Sequence, residues 1–330
     1  MKICSLLMLF TCAMIAGCIE NEVFTRGAPA QPQIDMPSLE DRAIRIVRDG
    51  LNDENGLVRN HAVEVVVTTN RRDLMPRVLS LLGDRSVALR FAAATAVGDM
   101  KYSEGEYAVK PMLHDPDVNV QIAAAYALGR IGRPEHLDKL RNAARSTDQT
   151  VRANALLLLG KLGDQRDLGL LYEILYDSQS SDKAKFQAVE SIAMLKDPRI
   201  YKERLWPMLI SKFADDRVMG IRGMAALGTK EAQDAILTML DDEVLELRLC
   251  AAEQLGRLGD RTGEAEIAAY FQRSNPNINE TSIPNVFAVL AIGQIRAEAL
   301  YKYLPPALHS RSKVVQLAAA QSVLLINRAK

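Results

Sequence analysis

The chain has 330 residues, long enough for two ordinary domains or one repeat array. Its 41 Lys and Arg balance 41 Asp and Glu, so no global basic charge pulls it toward nucleic acid. Apolar residues make up 48 % but aromatics only 5 %; Ala and Leu supply most of the core, which favours helices.

The N-terminus reads "MKICSLLMLFTCAMIAGC". Lys2 is a short positive region, and Ile3 to Ala13 is an apolar stretch too short to span a bilayer as a mature helix. Residues 1–17 therefore read as a signal peptide. "IAGC", Ile15 to Cys18, resembles the bacterial lipobox: an aliphatic residue, two small residues, then Cys. The resemblance implies that Cys18 is acylated through sulfur and becomes the mature N-terminus, holding the folded part on a membrane outside the cytoplasm. Ile19 is not the Asp that resembles an inner-membrane retention signal, so the outer membrane is expected where a cell has two. Cys4 and Cys12 leave with the signal and Cys250 alone remains, so the mature chain has no internal disulfide. Residues 18–38, with Pro29, Pro32 and Pro37 and no helical period, read as a tether. Its nineteen residues after Cys18 reach on the order of 60 Å when fully extended.

Residues 39–330 repeat. "VRNHAVEVVV", "LRFAAATAVG", "VQIAAAYALG" and "VRANALLLLG" each open on an aliphatic residue followed by Arg or Gln. Those second positions are Arg59, Arg90, Gln121 and Arg152, spaced by 31. The pattern continues less evenly through Lys185, Arg222, Arg248, Asn285 and Gln316, which gives nine units. Each unit reads as two helices. Val120, Ala124, Leu128 and Ile131 form one helical face, and Leu137, Leu140 and Ala144 a shorter one after Pro134. A unit this short cannot bury both faces alone, so stacking is obligatory, and terminal units with one neighbour should be the least regular. Gly-x-x-Gly recurs as "GRIG" at 129, "GKLG" at 160 and "GRLG" at 256. A phosphate loop precedes a helix, at its positive N-terminus. This motif follows one. Its first glycine fits a close helix approach and its second a left-handed helix end.

"DPDVNVQIAAAYALGRIG" and "DDEVLELRLCAAEQLGRLGD" resemble HEAT repeats, more narrowly the short HEAT-like repeats named after phycobilisome lyases. The resemblance implies an all-α, right-handed α-α superhelix. It also implies a ladder between units, in which an Asp six residues before the Arg/Gln position meets an Arg of an adjacent unit. The residues in those places are Asp53, Asp84, Asp115, Asp216 and Asp242, with Arg59, Arg90, Gln121, Arg152, Arg222 and Arg248. Helix capping by the same Asp side chains is the other reading, and a mixture of both is expected.

Signs of chemistry are few. His61, His114, His136 and His309 form no HExxH and have no ligand partners at metal spacing. HEAT-type hydroxylases use His-Glu pairs, and this chain has no such dipeptide. Cys250 lies among Leu and Ala, as a small apolar residue does. Asn279 opens a glycosylation sequon that reads as an ordinary polar loop, and Trp206 is expected in the core. Insertions at "LKDPRIYKERLW" and at residues 272–284 are candidate recognition loops. No catalytic residue, metal or cofactor is expected.

In HEAT arrays the helices that carry the Arg/Gln position line the concave face. Among their outward positions are His61, Glu64, Thr95, Asp99, Asn154, Glu190, Glu253 and Arg257, a surface of mixed sign. Tyr126, Arg130, Leu157 and Lys161 occupy equivalent places in two adjacent regular units. They are the expected contact patch for an envelope protein or peptide. The reading is a non-catalytic, lipid-anchored scaffold; an enzyme or cofactor-binding relative of the HEAT-like lyases and hydroxylases is the alternative.

Overall fold

The structure, a computed structural model, describes residues 35–273 and 276–328. The signal peptide, Cys18 and the tether up to Ile34 lie outside the described residues. In chain order the helices are α1 (Met36–Gly50), α2 (Gly56–Thr68), α3 (Met75–Ser80), α4 (Val87–Asp99), α5 (Glu106–Val109) and α6 (Val118–Arg130). They continue as α7 (Leu137–Ala143), α8 (Gln149–Leu162), α9 (Leu168–Tyr176), α10 (Asp182–Met194), α11 (Trp206–Leu209) and α12 (Ala214–Leu227). The last are α13 (Lys230–Thr238), α14 (Leu245–Arg257), α15 (Glu264–Arg273), α16 (Ile283–Ile295), α17 (Leu304–Leu308) and α18 (Lys313–Arg328). No strand occurs among the described residues. The fold is an all-α, α-α solenoid.

Even-numbered helices pack against one another in series, and the odd-numbered ones, with short 3-10 turns, cover their outside. Local sequence explains this. Inner helices start on polar caps: Asn55, Asp117, Asp148 and Ser181 accept from backbone N–H groups of their own first turns. They end on left-handed residues, four of them glycine: Gly132, Gly163, Gly228 and Gly259. "GKLG" shows both roles of the repeated motif. A Cβ on Gly160 would lie 2.8 Å from Ser191 Cα on α10, and Gly163 has φ +78°. The motif is a packing and termination device.

Folding starts earlier than the sequence suggests. Asp35 caps α1 and Met36 is buried, so the last residues assigned to the tether belong to the solenoid. The larger departure concerns the ends. α18 packs against both α1 and α2, so the solenoid closes on itself. Arg42 Nε donates to Leu308 O (3.3 Å), Asn327 Nδ2 to Glu40 Oε2 (2.9 Å), and Lys313 Nζ meets Asp53 Oδ2 at 2.5 Å. The terminal units therefore have neighbours on both sides, contrary to the expectation for an open array.

The insertion after Met194 is absorbed as one π-helical turn, Tyr201–Leu205, before α11. That turn rotates Trp206 out of the core. It is 41 % exposed beside the Tyr201 ring, not packed inside as expected. The second insertion folds onto the next unit: Asn279 Oδ1 accepts from Arg311 N, and Ser310 Oγ donates to Ile278 O. Asn279 thus serves the loop itself.

Candidate functional site

The ladder comes first, because it sets how the inner face curves. A residue four places after each N-cap lies one helical turn up, and its side chain leans back toward the N-terminus. It reaches the carbonyl six residues before it. Arg59, Arg90, Gln121, Arg152, Arg217, Arg248 and Gln316 all donate to that carbonyl. Where the residue is Arg, its free nitrogens reach the next unit. Arg59 bonds Asp84 (3.0 Å), Arg90 grips Asp115 with two bonds (2.8 and 3.0 Å), and Arg152 bonds Asp177 and Ser180 (2.8 and 2.7 Å). The same aspartates accept from backbone N–H groups two residues on. Burial works against the Asp115 carboxylate, but Arg90 and the Asp117 N–H hold its pKa below the usual range.

Four ladder residues depart from the expected roles. Arg222 is not a rung: the role belongs to Arg217, which pairs with Asp242 (3.0 Å). Asp216 accepts from Ser211 Oγ within its own turn. α12 starts after Phe213, which places its fourth residue at 217 and leaves 222 further along, exposed on the inner face. Gln121 stops at the Asp115 carbonyl, because a neutral amide has no forked cation to extend across the gap. Arg248 meets Glu266 on α15 instead of the next turn (2.7 Å). Near the expected position 285, Asn285 is buried. It accepts from Tyr270 OH and donates to Asn277 O and Glu280 O, tying down the insertion. Asp53, first in the series, receives Lys313 from the last unit. That bond holds the Asp53 carboxyl below its ordinary pKa.

The four expected contact residues do come together, but not as a surface. Tyr126 is 0 % exposed. Its ring lies over Gly98, where a Cβ would come within 2.6 Å, and its OH donates to Asp99 Oδ1 (2.7 Å). Burial and the Asp99 charge raise the Tyr126 pKa. Lys161 Nζ takes the other Asp99 oxygen (2.6 Å), and Arg130 Nη1 donates to Lys161 O (2.6 Å). Tyr126 is thus a core residue and not an interface anchor; the Lys161 ammonium is occupied, and Arg130 spends Nη1 on the Lys161 carbonyl while its buried Nε has no partner among the described residues. The reason is curvature. α4 and α6 approach closely across their small residues, so the position that is exposed at Glu64 is covered at Thr95 and Tyr126.

Leu157, by contrast, remains partly open. With Lys161 it lines a cleft of about 640 Å³ between α2, α4, α6 and α8. Val63, Val67, Phe91 and Ala92 give the cleft an apolar wall; Asn60, Asn119 and Asn154 are among its polar groups. Thr95 stands in this wall. It is 7 % exposed, and its hydroxyl has no hydrogen-bond partner among the described residues. Sequence reading counted Thr95 as outward-facing but missed Phe91, whose position four residues earlier on the same helix face was the available signal.

A second depression, about 700 Å³, is lined by α8, α10, α12, α14 and α16. It holds Glu190, Arg222, Glu253, Arg257 and Phe287, with the Arg222 guanidinium over the Phe287 ring. Burial raises the Glu253 pKa against the opposing charges of Arg222 and Arg257. Cys250 is 0 % exposed, and burial pushes its thiol up to about 12. Among the described residues no three His, Cys, Asp or Glu side chains are grouped to hold a metal ion. No helix there is long and apolar enough to cross a membrane.

Residues 107–193 match HEAT repeats. A search of the curated proteins finds no match. Among solved structures, human deoxyhypusine hydroxylase in complex with glycerol is 17 % identical, over 80 % of this chain and 98 % of that one, with a TM-score of 0.38. The complex of CpcE and CpcF of phycocyanin lyase from Nostoc sp. is 16 % identical, over 83 % of this chain and 98 % of that one, with a TM-score of 0.44. The matched segment spans α6, α8 and most of α10, the middle of the inner layer. The chain is an all-α solenoid in which residues 107–193 match HEAT repeats.

Proposed function

We propose that this chain is a lipid-anchored, non-catalytic scaffold that takes a segment of another envelope protein into the inner cleft. The observation that carries the reading is the apolar cleft with the unpartnered Thr95 hydroxyl in its wall. Its size falls in the range of roughly 300–1,000 Å³ typical of binding pockets. An apolar side chain seated on Phe91 and Leu157 removes their surface from water. The Asp99–Lys161 pair at one end is internally neutral, which suits an uncharged segment. "IAGC" supports the anchor and the envelope location. The buried, high-pKa thiol of Cys250 supports a non-catalytic role, because almost none of it is thiolate near neutral pH.

A photo-crosslinking residue placed at Leu157, compared with one at Tyr107 on the outer surface, tests the cleft. One protein captured from position 157 alone, and lost when Phe91→Glu is added, supports the reading. Equal capture from position 107, or a chromophore or metal in the purified protein, overturns it in favour of another surface or the cofactor-binding alternative. Mass spectrometry of the N-terminal peptide tests the anchor separately. An unmodified N-terminus starting elsewhere than Cys18 removes it.

A further inference from the structure

The depression between α8 and α16 is built differently from the apolar cleft, although Lys161 borders both. Glu190, Arg222 and Glu253 stand at one level of it. Each lies nine residues after the N-cap of its helix, Ser181, Phe213 or Val244. Equal register thus sets acid, base and acid side by side on α10, α12 and α14. Arg257 follows Glu253 by one turn on the same face.

Opposite charges placed in this way can pair, as Lys161 does with Asp99 across α6 (2.6 Å). These do not: Arg222, Glu253 and Arg257 form no ion pair among the described residues. Arg222 instead lays its guanidinium over the Phe287 ring, two inner helices away, which leaves its N–H edge free. Glu190 accepts from Gln187 Nε2 of its own helix (2.9 Å). At Glu253, burial outweighs the charges of Arg222 and Arg257 and raises the pKa, the state of a carboxyl that lacks a cation in contact. The other cations of the lining are engaged, Lys161 by Asp99 and Lys196 by the Ala226 carbonyl to which it donates. Two carboxylates and two guanidiniums are therefore held unpaired in one concavity of about 700 Å³, within the size range of small-ligand sites.

A ligand with a single charge would meet one pair and be repelled by the other. A ligand that joins an ammonium to a carboxylate meets both. Met194, Leu258 and Leu290 add apolar surface to the same walls beside Phe287. We propose that this depression binds a small zwitterion with an apolar side chain, an amino acid or short peptide, whose carboxylate is received by Arg222 and Arg257 and whose ammonium is received by Glu253 and Glu190. The site is separate from the apolar cleft and does not depend on a partner occupying it.

The purified chain is titrated by calorimetry with three probes: leucyl-leucine, its N-acetyl form, which keeps only the carboxylate, and leucyl-leucinamide, which keeps only the ammonium. Leucyl-leucine should bind about tenfold or more tightly than either blocked form, because each block removes a charge-assisted bond. Two variants then assign the charges. E190Q/E253Q keeps the side-chain shapes and should erase the preference for a free ammonium while keeping that for a free carboxylate. R222Q/R257Q should do the reverse. Tyr107→Ala on the outer surface should bind as wild type does. The comparison of the three probes on the unaltered chain needs no variant, so a variant that fails to fold leaves the test intact. No binding of leucyl-leucine at millimolar concentration, equal or tighter binding of a blocked form, or preferences that survive both folded variants overturns the proposal.

Discussion

From α2 to α8 the residues at the ladder position follow at a constant interval of 31, and no unit carries an insertion. From α8 to α16 the chain adds a π-helical turn and a thirteen-residue polar segment, and its sequence period wavers. Yet the rung geometry survives in both arcs. Arg217 reaches Asp242 much as Arg90 reaches Asp115, and both arginines donate to the carbonyl six residues back. Extra residues enter only the outer segments, because an inner helix shifted by one residue would lose its rung, its buried stripe and its glycine contact together. The arcs differ instead in what they line. The regular arc encloses an apolar cleft, while the irregular arc encloses a charged depression around Glu253.

The largest effect should come from the regular arc. Tyr126→Ala removes a fully buried ring and leaves the space over Gly98 empty, so it should cost about 3–5 kcal/mol in chemical denaturation. A loss below about 1 kcal/mol would mean that the ring is not in the core, and the curvature argument would fail with it. Across the arcs, Arg217→Met should cost about 3 kcal/mol, because Asp242 is left buried without its cation. Arg222→Met, outside the ladder, loses its place over Phe287 and part of the charge facing Glu253 and should cost about 1 kcal/mol, well below Arg217→Met. The reverse ranking would restore the sequence-based register and break the equivalence of the two arcs.

Gly160→Ala sharpens the contrast on a smaller scale. Its methyl group meets the α10 backbone, so about 2 kcal/mol is expected, whereas Gly132→Ala has open space and only its positive φ to strain, about 1 kcal/mol. Equal losses would show that α8 and α10 can slide apart. The smallest effect belongs to the seam where the arcs meet. Lys313→Gln should cost less than about 1 kcal/mol at pH 7, since the lysine is largely exposed. The folded Asp53 carboxyl lies below its unfolded value, so this stabilisation is complete above the unfolded pKa. It is lost as pH falls through the folded one. The difference between wild type and variant should therefore begin to shrink below about pH 4 and vanish only once the pH falls below the lowered folded pKa. A difference that persisted there would assign the seam to packing alone.

Much of this was legible in local sequence. The period, the polar caps, the "GKLG" ends and the rungs Arg59–Asp84 and Arg90–Asp115 depend on residues at fixed short distances along the chain, and helical geometry converts such distances directly into faces and contacts. Even the misplaced rung was recoverable, since Arg217 keeps the six-residue offset from Ser211 that its sister units show.

Other features were not contained in any such distance. Whether Tyr126 points outward or is covered depends on how closely α4 meets α6. Whether the first and last units are free depends on the curvature summed over nine inner helices, to which every small residue contributes a little. The sequence by itself determined the helices, their ends and the bonds between most neighbouring units. Only the tertiary structure decided the closure and the cleft, because both arise from surfaces brought together by elements distant in the chain.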